Sequence, residues 1–128
     1  MLVLDTHAWI WWSHSPDRMS DAARQACDES DALLVPAIAV WELGMLVSKG
    51  RLGLDRDLGD WVRAALTLPG IRLAPLEPRI ALRASNLPGD LHGDPADRMI
   101  VATAMEYACP LVTRDEALHR YPHVKTVW

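Results

Sequence analysis

The sequence predicts a single three-layer α/β/α domain over residues 1–128, with a mostly parallel sheet at its centre. Two observations support this fold class. Strand-like segments alternate with helical ones along the chain, and the strand-like segments are continuously apolar instead of alternating between apolar and polar residues. Strands of that kind belong to parallel sheets that helices cover on both faces. The length of 128 residues fits one domain.

Five segments are predicted strands. MLVL, a short apolar run that ends at Asp5, and ALLVP at 32–36 have the character of buried strands. The predicted strands, in order, are 1–4, 32–36, 71–76, 110–113 and 124–128.

Six segments between these strands are predicted helices, and local signals mark several of their ends. Ser20 is a plausible N-cap, Gly50 a fitting C-terminal residue, and Pro69-Gly70 a stop signal. Asp94 reads as an N-cap, with Pro95 as the first helical residue. The predicted helices are 20–30, 37–50, 55–70, 77–89, 94–108 and 115–121.

Composition narrows the class of protein. A net charge of −4 argues against a general basic nucleic-acid binder, but not against an enzyme that acts on nucleic acid. Cys27 and Cys109 are too few and too far apart for a disulfide framework or a zinc site. We expect no secretory leader and no membrane span, and therefore a cytoplasmic protein. The tryptophan-rich segment AWIWW at 8–12 predicts a large apolar patch, either core or partner surface.

Four acidic residues fall where they can meet at one edge of the predicted sheet. Asp5 and Asp115 follow predicted strands, while Glu42 and Asp97 lie early in predicted helices. In an open parallel sheet, ligands bind beyond the carboxyl ends of the strands. Helix capping is the alternative interpretation of Asp5 and Asp115, and the sequence leaves it open.

Glu42 and Asp97 are harder to explain as surface charges. Glu42 is the only ionisable residue between Asp31 and Lys49, in a helix that is apolar on most faces. A buried carboxylate without a partner costs several kcal/mol, so a residue of this kind usually has a partner or a metal. Asp97 begins the apolar stripe of its helix, with Ile100, Val101, Ala104, Met105 and Ala108. Asp94, three residues earlier, is mainly the cap.

Four carboxylates in one cleft repel each other. At a separation of about 5 Å and an effective dielectric constant of about 20, each pair costs roughly 3 kcal/mol. A divalent cation removes this conflict, and a ligand set of oxygens without His or Cys suits Mg²⁺ or Mn²⁺. Such a site serves phosphate-ester chemistry with an activated water.

The segments MLVLDTHAWIWW, VWELGMLVSKGRLGL, HGDPADRMIVATA and LVTRDEAL together resemble the PIN-domain toxins of the VapC class, from bacterial toxin–antitoxin pairs. The resemblance implies a Mg²⁺- or Mn²⁺-dependent endoribonuclease that leaves a 3′-hydroxyl and a 5′-phosphate. It places the acidic quartet at Asp5, Glu42, Asp97 and Asp115. Further supporting positions are Thr6, Asp94, Thr113 and Arg114.

The resemblance also implies a homodimer, an RNA substrate and a cognate antitoxin whose tail occupies the active-site groove. Two positions depart from the family pattern: Ala39 and Val40 stand where a hydroxyl residue often precedes Trp-Glu, and Leu46 replaces a frequent Lys. The alternative function is a PIN-like module that binds RNA or protein without cutting it. The complete quartet argues against that alternative.

Several other side chains are candidates for contact with substrate, each with surface or packing roles as the alternative. His7 and His92 lie near the acids and can touch a phosphate, as can Arg98. Trp11 and Trp12 can stack on a base or bind a partner.

Overall fold

The computed structural model describes residues 1–128 and has a five-stranded sheet at its centre. The strands are β1 (Leu2–Leu4), β2 (Leu33–Pro36), β3 (Ile71–Ala74), β4 (Leu111–Val112) and β5 (Thr126–Val127). They lie in the order β3-β2-β1-β4-β5, and every neighbouring pair is parallel. The predicted α/β class is confirmed, and the sheet is wholly parallel.

Seven α-helices and one short 3₁₀ turn connect the strands. The helices are α1 (Thr6–His14), α2 (Asp21–Glu29), α3 (Ala37–Ser48), α4 (Leu58–Leu66), α5 (Pro78–Ser85), α6 (Pro95–Glu106) and α7 (Glu116–Arg120), and the turn is Pro16–Arg18. None of these helices has the length and apolar character that crossing a membrane requires.

Side chains on the two faces of the sheet form two separate hydrophobic clusters, which makes the fold three-layered. Leu2 and Leu4 face a cluster built with α1, α2, α3 and α4, whereas Val3 between them faces a cluster built with α5, α6 and α7. This follows from the strand period of two, which sends successive side chains to opposite faces. Both faces of β1 and β2 are buried, as the continuous apolar runs predict.

Helix α1 is not among the elements predicted from the sequence. Its apolar residues Trp9, Ile10 and Trp11 are consecutive and all buried, so they do not recur at helical spacing and give no clear amphipathic period to detect. The AWIWW segment thus forms core, the first of the two possibilities that the sequence left open. Trp12 packs against the same cluster at its edge.

The ends of the helices differ from the predicted ends by a few residues. Helix α4 begins at Leu58, later than predicted, because the Asp57 side chain accepts a hydrogen bond of 3.3 Å from the Asp60 amide and caps it there. Gly50 follows the end of α3 with a φ of 69°, which confirms its predicted C-terminal role. Ala108, predicted on the apolar stripe of α6, lies exposed beyond the helix end.

The chain reverses direction across the sheet at β1. From β1 the strands extend through β2 to β3 on one side and to β4 and β5 on the other. The crevice at such a switch point, outside the carboxyl ends of the strands, is where open α/β sheets bind ligands. Asp5 directly follows β1, and Thr113 to Asp115 follow β4, so both segments reach this crevice.

Candidate active site

A cleft of about 520 Å³ opens at the carboxyl edge of the sheet. It is lined by Asp5, Thr6, His7, Trp11, Glu42, Asp97, Ile100, Arg114 and Asp115. The structure therefore brings together all four acids of the predicted quartet, which come from the end of β1, from α3, from α6 and from the β4–α7 turn.

Asp5 is held by hydrogen bonds to both of its carboxylate oxygens. One oxygen accepts a bond of 2.8 Å from the Ala8 amide, which makes Asp5 the N-cap of α1. The other accepts the hydroxyl of Thr113. Burial raises the pKa of Asp5, and the bonds from Thr113 and Ala8 partly oppose that rise. Asp5 is thus both a cap and a residue of the cleft.

Thr113 ties two of the acids together. Its side chain is fully buried, and its hydroxyl oxygen accepts a hydrogen bond of 3.0 Å from the Asp115 amide while it donates to Asp5. The end of β1 and the turn after β4 are therefore fixed to one another through one hydroxyl group.

Thr6 has a similar role on the other side of the cleft. Its buried hydroxyl donates to Oε1 of Glu42, which lies in the second turn of α3. This bond joins α1 to α3 and fixes the orientation of a half-buried carboxylate. Glu42 is less buried than its apolar helix predicts, because only Ala39 and Leu43 of α3 are fully covered.

Asp94 and Asp97 have the two different roles that their spacing suggests, one as the cap of α6 and the other in the cleft. Asp94 is exposed and caps α6, since its side chain accepts a bond of 2.9 Å from the Asp97 amide. The Asp97 side chain is only 22% exposed and lies in the cleft. One oxygen each from Glu42, Asp94 and Asp97 lies within 4.8 Å of the others. Asp94 is therefore also close enough to share a ligand.

The pKa of Asp97 is raised to about 7. Burial is the main cause, and the negative charges of Asp94, Glu42, Asp115 and Asp5 add to it. A carboxyl group with this pKa is half-protonated at neutral pH, which means that the cleft without a cation does not hold all of its charges.

Asp115 is exposed and caps α7, accepting bonds of 2.8 Å from the Ala117 amide and 3.3 Å from the Leu118 amide. The capping interpretation of Asp5 and Asp115 is therefore correct as well, and it does not exclude a place in the cleft. Asp5 and Asp115 stand at the helix ends that face the crevice, so their carboxylates can cap a helix and also reach a ligand bound there.

The remaining candidates separate into two groups. His92 contacts the acids, with its Nε2 3.3 Å from an Asp97 oxygen, and His7 and Arg114 line the cleft. Arg98 does not line the cleft: its guanidinium donates to the carbonyl oxygens of Ala84 and Leu91 at 3.0 and 3.1 Å. The suggestion that Arg98 contacts a phosphate is therefore wrong, because these bonds commit its guanidinium to holding the loop before α6.

The two tryptophan candidates have packing roles. Trp11 forms part of the cleft wall but is only 8% exposed, and Trp12 packs against the core cluster at its edge. A base has little access to the face of a ring that is covered to this degree.

The donor set fits a hard divalent cation. Its groups are carboxylate oxygens, those of Glu42, Asp94 and Asp97 lie close together, and burial together with the neighbouring charges raises the pKa of Asp97. Mg²⁺ and Mn²⁺ bind such oxygen sets and neutralise the repulsion that burial makes costly. No cysteine lines the cleft, which disfavours a structural zinc site.

Comparison with known proteins identifies relatives over the whole chain. The model of the family described as "PIN domain" matches residues 2–124. The chain is 40% identical to a protein named Ribonuclease VapC22 from Mycobacterium tuberculosis, over 99% of this chain and 98% of that protein.

Solved structures of the same fold come from several bacteria. A VapBC2 complex from Rickettsia felis, bound to a promoter DNA fragment, matches with a TM-score of 0.70 and 16% identity, over 98% of this chain and 96% of that one. FitAcB from Neisseria gonorrhoeae matches with a TM-score of 0.66 and 24% identity, over 98% and 96%. VapC20 from M. tuberculosis, described as a sarcin-ricin loop cleaving toxin, matches with a TM-score of 0.63 and 13% identity, over 98% and 99%. At these identities the likeness shows the fold.

Proposed function

The chain belongs to the PIN domain family, in its VapC class, and we propose that it is a metal-dependent endoribonuclease, the toxin of a toxin–antitoxin pair. One observation carries the proposal. Four acids from four separate segments converge on one cleft at the switch point of the sheet, where burial, together with the neighbouring negative charges, raises the pKa of Asp97 to about 7. The name of the 40% identical relative, a ribonuclease, supports RNA as the substrate.

Asp5, Glu42, Asp97 and Asp115 are the residues that would hold the Mg²⁺ or Mn²⁺, with Asp94 beside them. When bound, the cation supplies an activated water, and it neutralises charge on the scissile phosphate and on the leaving oxygen. The bond that breaks joins phosphorus to the 3′ oxygen, so the products carry a 3′-hydroxyl and a 5′-phosphate.

The other residues of the cleft have supporting roles in this proposal. Thr113 and Thr6 fix the directions of Asp5 and Glu42 through buried hydrogen bonds, so these acids need little rearrangement when substrate arrives. Arg114 lines the cleft and is exposed, with no acidic partner, and in this proposal it contacts an oxygen of the scissile phosphate. His7 also lines the cleft, beside the same Trp11 ring that Arg114 contacts, and can assist it.

We propose two protein partners. The solved structures of this fold include toxin–antitoxin complexes, which supports a cognate antitoxin whose tail occupies the acidic cleft. A second copy of the chain is the other partner, and the exposed apolar side chain of Trp41 on α3, 56% exposed, supports such self-association. The place of action that suits these partners is the cytoplasm.

The test of this function is cleavage by the purified, partner-free protein. Total RNA and structured RNA are incubated with it in Mg²⁺, in Mn²⁺ and in EDTA, and the fragments are mapped. We expect discrete cuts that need metal and that are lost in Asp97→Asn, with a fall in rate of about 10²- to 10³-fold, the scale for removing one electrostatic group from an active site. Asp90→Asn, an exposed acid outside the cleft, is the matched control and keeps its activity.

Cutting that continues in EDTA, or in Asp97→Asn, would contradict the proposed role of the cleft. RNA binding with no cleavage in any metal would favour the alternative, a PIN-like module that does not cut.

A further inference from the structure

A second pocket adjoins the acidic cleft and is lined by arginines instead of carboxylates. It has a volume of about 210 Å³ and shares His7 and Trp11 with the cleft. Its charged side chains are Arg18 and Arg51, and no acidic residue lines it. We call this feature, built from His7, Trp11, Arg18 and Arg51, the arginine pocket.

The arginines around Trp11 have no acidic partner, a property that they share only with Arg72 and Arg98 among the other arginines. Arg18, Arg51 and Arg114 take part in no ion pair and no side-chain hydrogen bond, although all three are exposed. Most of the other arginines are paired with Asp or Glu, namely Arg24, Arg56, Arg63, Arg79, Arg83 and Arg120. Three unpaired guanidinium groups therefore gather beside the cleft in a chain whose net charge is −4.

The indole ring of Trp11 links the two pockets. The guanidinium carbon of Arg18 lies 5.2 Å from the ring centre and that of Arg114 lies 5.9 Å from it. Arg114 lines the acidic cleft, whereas Arg18 lines the arginine pocket. Contact with a buried ring restricts both side chains, so less of their freedom is lost when they bind an anion.

A nucleic-acid strand that lies in the acidic cleft needs a positively charged surface next to it. The acids, even when neutralised by a cation, offer no attraction to the phosphates on either side of the scissile one. Proteins that bind single strands track the backbone with positive charge, and the guanidinium fork matches phosphate oxygens in a bidentate manner. Since the two pockets share residues, a strand that crosses the cleft passes directly into the arginine pocket.

We propose that the arginine pocket binds a phosphate of the RNA strand adjacent to the scissile phosphate, with Arg18 and Arg51 as its ligands. This inference rests on the proposed nuclease function and deepens it, because it assigns the side of the cleft along which the substrate runs. An acidic protein segment is the other occupant with matching charge. The continuity of the pocket with the cleft favours RNA, whose next phosphate is one nucleotide away.

The test measures RNA binding in the Asp97→Asn background, where the strand stays intact. A fluorescent single-stranded RNA oligonucleotide is titrated at several salt concentrations with the full chain, carrying either Arg18→Gln with Arg51→Gln or Arg72→Gln with Lys125→Gln. The second pair removes the same charge from exposed positions outside both pockets and is the matched control. Thermal melting confirms that each variant is folded.

We expect the arginine-pocket pair to weaken RNA binding about tenfold and to reduce the slope of log K against log salt by about 0.7, the value for one phosphate contact on a single strand. The control pair changes binding by less than about twofold, as surface charges remote from the strand do. In the cleaving protein, the arginine-pocket pair raises KM and leaves kcat within about twofold.

Equal binding by the two pairs, or an unchanged salt slope, would overturn the inference. The same variants are also titrated with oligoglutamate. If the arginine-pocket pair lost binding to oligoglutamate but not to RNA, the inference would be overturned and the pocket would be assigned to an acidic protein segment.

The proposed function is tested separately, by metal-dependent cleavage with the unmodified chain. If the protein cleaves RNA but neither binding nor KM depends on Arg18 and Arg51, the nuclease function is supported and only the phosphate subsite is wrong.

Discussion

Asp97→Asn is expected to make the metal-free protein more stable at pH 8, even though it abolishes cleavage. The pKa of Asp97 is raised from about 4 to about 7 by burial and by the neighbouring acids, so its charged form is unfavourable in the folded state. A shift of this size corresponds to roughly 4 kcal/mol, which we reduce to about 2 to 4 kcal/mol because the side chain is partly exposed. An asparagine avoids this cost.

The gain in free energy of unfolding from Asp97→Asn increases with pH. Between about pH 4 and pH 7 the unfolded chain binds fewer protons than the folded one at this position, so the free energy of unfolding falls as pH rises. The penalty is complete above pH 7 and absent below the unfolded pKa of about 4. The advantage of Asp97→Asn over the unmodified protein is therefore largest at pH 8 and disappears as pH falls toward 4.

Denaturant unfolding in EDTA at several pH values measures this difference, with Asp90→Asn as the control. A helix-capping role alone predicts the opposite sign, since an acid in the first turn of α6 stabilises the helix by about 0.3 to 1 kcal/mol. If Asp97→Asn were less stable than the unmodified protein at pH 8, the interpretation of Asp97 as a buried, repelled carboxylate would be wrong.

Thr113→Val is expected to lower metal affinity and the cleavage rate by about 10- to 100-fold, the usual effect of removing a group that orients metal ligands. The valine has nearly the same shape, so the core around β4 stays filled. It deprives Asp5 of a hydrogen bond on one oxygen and leaves the Asp115 amide without its acceptor. Metal titration by calorimetry and initial cleavage rates measure the two losses.

Thr113→Ser retains the hydroxyl and serves as the matched variant. We expect it to recover most of the metal affinity, because the bonds to Asp5 and Asp115 need only that group. A serine variant as impaired as the valine variant would mean that the methyl group of Thr113 matters through packing, and that the hydrogen bonds do not orient the acids.

The convergence of the four acids could be predicted because it follows from topology alone. Once MLVL and PLVT are assigned as parallel strands, Asp5 and Asp115 must emerge at the same edge of the sheet. The position of Asp97 follows from helical spacing in the same way. These inferences need only secondary structure and the direction of each strand.

The contacts that orient the acids could not be predicted from the residues themselves. Thr6 and Glu42 are 36 residues apart, and Thr113 and Asp5 are 108 apart, so their hydrogen bonds depend on how α1 packs against α3 and how β1 pairs with β4. Only the resemblance to a family indicated Thr113. Helix α1 itself escaped prediction because its tryptophans are buried on several sides.

The arginine pocket shows the same limit. Arg18 follows α1 and Arg51 follows α3, and neither segment carries a basic run that would mark it in the sequence. What distinguishes these residues is that they lie together in a pocket beside Trp11 and have no acidic partner, and this combination becomes visible only after the fold and the ion pairs of the other arginines are known. Arg98 is the reverse case, since the structure commits its guanidinium to two backbone carbonyls.

The most direct test of the central claim, that these carboxylates form one metal centre, is a calorimetric titration of Mn²⁺ into the protein at pH 8 and at pH 6. We expect Mn²⁺ to bind at pH 8 and to bind more weakly at pH 6, because protons compete for a carboxyl group whose pKa is about 7. It also predicts that binding is at least about tenfold weaker in Asp97→Asn. Equal Mn²⁺ affinity in both proteins, unchanged by pH, would show that the acids cap helices and do not hold a metal.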